Sequence, residues 1–142
     1  MSYQRALTAA GATVIDSLYA GDYQGTWGSI VEYQGKKGLV VGYYGSCSHC
    51  DAFQGQFDSY EWTLPTEENG KYIDDCGDEI IKEQYDAQHQ AYNKKLAEFG
   101  ASYLKVIQDR WDVENQLANM NGEDDWRDEE NYRLLTWALE RL

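Results

Sequence analysis

Basic residues are scarce in this chain: 12 Lys and Arg stand against 25 Asp and Glu, for a formal charge of −13 over 142 residues. Such a surface repels nucleic-acid phosphates, which argues against direct binding of DNA or RNA. Long apolar runs are missing too, and no stretch approaches the roughly 18 residues of a membrane span. Met1 to Tyr19 holds Arg5 but no apolar run and no clear cleavage site, so it reads as part of the fold and not as a signal peptide. Cysteine occurs three times, an odd number, with two copies in one C-x-x-C. A secreted chain tends to pair all its cysteines, so a reducing cytoplasm is expected. There is no phosphate-binding glycine loop, no H-E-x-x-H and no nucleophile elbow. The adjacent acids Asp74-Asp75 and Asp124-Asp125 offer a divalent-metal hydrolase nothing beyond what helix caps in polar loops provide.

Aromatic residues are plentiful: 5 Trp, 12 Tyr and 3 Phe. With Leu, Ile and Val sparse, they have to supply much of the core. The length suits a single domain over 1–142 and allows about two-thirds of the unfolded surface to be buried. The charge divides the chain. Residues 1–50 are balanced, Arg5, Lys36 and Lys37 against Asp16, Asp22 and Glu32, so the whole −13 falls in 51–142. Residues 1–70 read as a helix plus a β-hairpin sheet carrying the cysteine turn, and 71–142 as an acidic helical half.

The expected class is α+β, a small antiparallel sheet of two or three strands packed with an N-terminal helix and the C-terminal helices. Ala6, Leu7, Ala10, Val14 and Leu18 fall on one stripe of a helix over Tyr3–Tyr19. Thr26–Tyr33 and Gly38–Tyr44 read as a hairpin about the turn Gln34 to Lys37. Phe57–Leu64 is the candidate third strand, ended by Pro65 and a loop from Thr66 to Gly70. A helix is expected over Asp78–Phe99, with Gly100 either ending it or passing into a second helix through Tyr103, Ile107, Trp111 and Leu117. Asn119 to Gly122 reads as a loop, and Asp124 or Asp125 as the cap of a last helix with Asp128 and Glu129 in its first turn.

Gly45-Ser46-Cys47-Ser48-His49-Cys50-Asp51 follows directly on a strand. Three readings stand side by side. In the first, Cys47 and Cys50 hold zinc with Cys76 as third ligand and His89 or His49 as fourth, since C-x-x-C lets two thiolates reach one ion from a tight turn. In the second the pair is redox-active, although no βαβ unit surrounds it and Pro65 lies too close to serve as the cis-proline of a thioredoxin. In the third the thiols are small buried hydrophobes, and Ser46, Ser48 and Asp51 hold the turn through its backbone.

Asp22-Tyr23-Gln24-Gly25, the stretch Tyr44-Gly45-Ser46-Cys47-Ser48-His49-Cys50-Asp51-Ala52-Phe53 and the later Phe99-Gly100-Ala101-Ser102-Tyr103-Leu104 resemble a family of small uncharacterised proteins of tailed bacteriophages. Its members share a D-Y-Q-G start, a G-S-C-S-x-C-D turn and an F-G-x-x-Y-L segment, and the likeness spans roughly residues 20–142. It implies phage origin and expression in a bacterial cytoplasm, and it carries over no catalytic residue. His49 stands where the family has a small residue.

Two functions follow. The acids cluster: between Asp58 and Asp86 only Lys71 and Lys82 offset them, and between Asp109 and Glu130 only Arg110 and Arg127. Excess charge on solvated helices often serves solubility alone. Carboxylates spaced along helices can also mimic the phosphates of DNA and dock on a basic host or anti-phage defence protein. That surface would comprise Asp109, Asp112, Glu114, Glu123, Asp124, Asp125, Asp128 and Glu129, with Trp111 and Trp126 as apolar anchors. The alternative is a small zinc- or thiol-dependent protein centred on the cysteine turn. Exposed aromatics would also suit a homodimer.

Overall fold

The first helix is short because the chain turns at a glycine. In the computed structural model, which describes residues 2–47, 51–120 and 126–142 (backbone alone for residues 60 and 126–128), α1 is Ser2–Ala9 and β1 is Thr13–Gly21. Gly11 between them sits at φ +102, a left-handed conformation that a side chain would disfavour. The β-branched run Thr13-Val14-Ile15 then favours an extended backbone. The helix expected over Tyr3–Tyr19 is thus two elements. Ala6 and Leu7 bury one face of α1, and Val14 reaches the same core from a strand.

The hairpin is present as β2 (Gly25–Tyr33) and β3 (Lys36–Tyr44). Its turn is tighter than expected. Gln34 and Gly35 alone make it, at φ 50 and 78, the pair of left-handed conformations that a two-residue turn needs. Lys36 and Lys37 pair with Tyr33 and Glu32 inside the ladder. β1 lies antiparallel on the other side of β2, giving the order β1-β2-β3 with a register shift between Val14 and Asp16.

The third strand is therefore β1 and not Phe57–Leu64. That segment holds the end of α2 (Ala52–Phe57) and a 3-10 turn, Tyr60–Trp62. Phe53 and Phe57, four residues apart, stack at 4.4 Å and both meet Phe99 at 5.6 Å, a contact that requires the 3.6-residue period. The expected loop after Pro65 is instead a small meander of β4 (Thr66–Glu68), β5 (Lys71–Ile73) and β6 (Glu79–Ile80), with Asn69-Gly70 as its first turn.

α3 runs Lys82–Leu104, straight through Gly100. α4 is Arg110–Ala118, started by a capping box in which Asp109 accepts from the Asp112 N–H and Asp112 accepts from the Asp109 N–H. α5 is Trp126–Leu139; the caps expected at Asp124 or Asp125 lie outside the described residues.

The class is α+β as expected, with helices on both faces of the three-stranded sheet. α1 and α3 cover one face over a largely aromatic core of Tyr3, Trp27, Phe53, Phe57, Tyr92 and Phe99. α4 and α5 cover the other over an aliphatic one of Ile30, Leu39, Val113, Leu135 and Ala138. Alternation along β2 sends Trp27 and Val31 one way and Ile30 the other. Among the described residues no helix is long and apolar enough to cross a membrane.

Candidate functional site

Asp51 organises the cysteine turn. It caps α2 by accepting the Phe53 and Gln54 N–H groups on Oδ1 at 3.0 and 3.1 Å. The same oxygen accepts the Tyr3 hydroxyl at 2.7 Å, and Oδ2 accepts the Gly45 N–H at 2.9 Å. The Asp51 N–H donates to the Cys47 carbonyl at 2.9 Å, closing the turn on itself. One buried carboxylate thus ties the end of β3, the start of α2 and α1 together. Burial, and after it the hydrogen bond to Asp51, push the Tyr3 phenol above its ordinary value, so it stays a donor. The expectation that Asp51 holds the turn through its backbone matches this geometry; the expectation that the thiols are small buried hydrophobes does not, since Cys47 is exposed.

The proposed zinc ligands are not brought together where they are described. Cys47 and Cys76 are exposed, and Cys50 lies outside the described residues. His89 sits on α3, its Nε2–H donating to the Pro65 carbonyl at 3.0 Å and its ring 4.3 Å from that of Tyr85. With the Tyr72 ring 4.6 Å from that of Tyr85 and tilted against it, these contacts seat the small second sheet on α3. Among the described residues, the one group with three ligand atoms close enough for a cation is Asp74, Asp75 and Cys76, without Cys47 or His89. Asp74 is occupied there as the brace of the β5–β6 turn, its Oδ1 accepting the Cys76 and Asp78 N–H groups at 3.0 and 2.8 Å. The charges of Asp75 and then Asp74 hold the Cys76 thiol above its ordinary value, which disfavours a reactive thiolate.

On the acidic helices the carboxylates do different work. Asp109 and Asp112 are the capping box of α4. Glu114 pairs with Arg110 at 2.9 Å, both well exposed. Trp111, on the same helix, has 69% of its surface exposed. Glu129 is exposed on α5, which packs beside α4. Glu123, Asp124 and Asp125 lie outside the described residues, as do the side chains of Trp126 and Asp128, whose backbone opens α5. The other described ion pairs join Arg141 to Asp16 at 2.7 Å and to Glu140 at 3.6 Å.

Reasoning from sequence did not single out a cleft between β3, α4 and α5, where Tyr43, Asn115, Asn119 and Asn131 meet Val41, Met120, Leu134 and Leu135. Asn115 and Asn119 are four apart and share a helix face, the signal that was open to reading. Asn131 of α5 lies at the cleft wall beside them. Comparison with protein-family models, with curated proteins and with solved structures finds no match to this chain.

Proposed function

We propose that the protein acts by binding and not by catalysis, docking on a basic host or anti-phage defence protein through a DNA-mimicking acidic surface built on α4, α5 and the segment joining them. The observation that carries this reading is the exposed Trp111 indole in the first turn of α4, a helix that also carries Asp109 at its cap, Asp112 and Glu114 and packs beside α5. Exposed carboxylates steer a cationic partner and speed its arrival, while a large aromatic side chain supplies the apolar contact that slows its departure. The likeness of the cysteine turn to small tailed-phage proteins supports a bacterial cytoplasm as the setting.

Because Asp112 also braces α4, reversing its charge mixes folding with binding. The test uses Glu114→Lys, Asp124→Lys, Asp128→Lys and Glu129→Lys together, and Trp111→Ala alone. The tagged protein is used to capture partners from host lysate at low and high salt, with mass spectrometry and with duplex DNA as competitor. The expected result is a basic nucleic-acid-binding protein that the wild type retains at low salt, that DNA displaces, and that both variants lose with unchanged melting curves. Capture that survives charge reversal in a folded variant sinks the proposal.

A further inference from the structure

The cleft between the sheet and the two C-terminal helices has the chemistry of a ligand site. It encloses about 470 Å³ and adjoins a second hollow of about 340 Å³ that shares Thr26, Tyr43 and Asn131 with it. Both volumes fall in the range of small-molecule sites, roughly 300–1,000 Å³. Three carboxamides, Asn115 and Asn119 from α4 and Asn131 from α5, line the first hollow, and Gln24 lines the second. No side-chain hydrogen bond among the described residues engages any of these four groups or the Thr26 hydroxyl. Gln116 differs, since its amide is spent on the Gln108 side chain and the Asp112 carbonyl. Each unspent carboxamide offers two donors and an acceptor. Tyr43, which belongs to both hollows, is 75% exposed and presents a ring with a polar tip where they join.

Charge narrows the ligand class. Among the described residues no Lys or Arg lines either hollow. The charge of Arg133 reaches Tyr44 at the second hollow, but those of Glu130 and Asp22 act on it more strongly. Glu130 faces the second hollow, near Asp22, and the chain as a whole is strongly negative. Anions are disfavoured on both counts. Carboxamides placed to bind donors and acceptors alike, beside an exposed tyrosine and with no cation among the described lining residues, match neighbouring hydroxyls on a ring with an apolar C–H face. We propose that this cleft binds a neutral carbohydrate of two or three sugar units, with Asn115, Asn119 and Asn131 bonding its hydroxyls and Tyr43 stacking on a sugar ring.

The test is titration of isotope-labelled protein, followed by NMR, with neutral di- and trisaccharides: maltotriose, cellotriose, chitotriose and lactose. Sialyllactose, adenosine and uridine are added as separate arms. At least one neutral saccharide is expected to bind with a Kd of about 1 mM or tighter, shifting the side-chain amides of Asn115, Asn119 and Asn131. Asn131→Ala and Tyr43→Ala should each weaken it about tenfold. Tyr43 is mostly exposed, so its variant keeps the test readable if Asn131→Ala fails to fold. No binding by any neutral saccharide, shifts confined to another surface, or binding by the nucleosides alone would overturn the proposal.

Discussion

Asp51 shows how much a single buried carboxylate can carry. Replacing it with alanine removes the α2 cap and leaves the Gly45 N–H and the Tyr3 hydroxyl without their acceptor. A lost cap costs about 1 kcal/mol and each stranded buried donor about 1–3 kcal/mol, so Asp51→Ala should destabilise by at least about 3 kcal/mol in a denaturant titration. Its hold on the turn backbone was legible in the sequence, because an aspartate closing a tight turn has backbone N–H groups within reach of its own side chain; its capping of α2 and its bond to Tyr3, 48 residues away, were not. The role of His89 was not. Its partner is the carbonyl of Pro65, far away in sequence, so histidine spacing carried no trace of it. Glu130 supplies a pH-dependent counterpart. Burial, and after it the charge of Asp22, raise its carboxyl above the ordinary value. The folded protein therefore holds that proton more tightly than the unfolded chain. The stability it contributes is complete below the unfolded value and is lost as pH rises through the folded one. Glu130→Gln should melt higher than wild type at pH 7 and no higher in acid, as followed by circular dichroism across pH.

At the scale of elements, the contact of α1 with α3 turns on Gly100. A Cβ there would stand 1.9 Å from the Ala6 carbonyl oxygen, so the two helix backbones meet where no side chain intervenes. In a free helix Gly→Ala gains about 1 kcal/mol. Here it forces the helices apart, and overpacking of this kind costs about 1–3 kcal/mol. Gly100→Ala should lower stability by about 2 kcal/mol, while an intact or raised melting point would show that the helices separate at no cost. The same residue explains why the end of the helix was not legible: glycine reads locally as a breaker, and only the crossing helix gives it a reason to stay. The misreading of Tyr3–Tyr19 has a related cause. Ala6, Leu7 and Val14 do share one core, but they reach it from a helix and a strand, and spacing alone does not separate the two. The hairpin was legible because alternation and a glycine turn are local signals. The second sheet was not, since β4 is exposed throughout and buries no alternating face.

Over the whole molecule, the charge has little internal compensation. The formal charge is −13, and the ion pairs among the described residues join only Arg110 and Arg141 to nearby acids, at sites open to solvent. Pairs so exposed add little, typically under about 1 kcal/mol. Repulsion among the remaining carboxylates opposes the compact state, and it is the term that salt relieves most. The screening length falls from about 30 Å at 0.01 M to about 8 Å at 0.15 M, from roughly the span of a small domain to the distance between neighbouring side chains. Raising sodium chloride across that interval should therefore raise the melting temperature, by about 2–4 °C if screening recovers about 1 kcal/mol. Choline chloride at the same ionic strength separates general screening from sodium binding, and the two salts should give the same curve. A melting temperature that stays flat or falls would mean that attraction among interleaved opposite charges balances the repulsion. A surface interleaved in that way would hold less concentrated negative potential for a cationic partner than clustered carboxylates do, so the melting curve bears on the docking proposal before any partner is in hand.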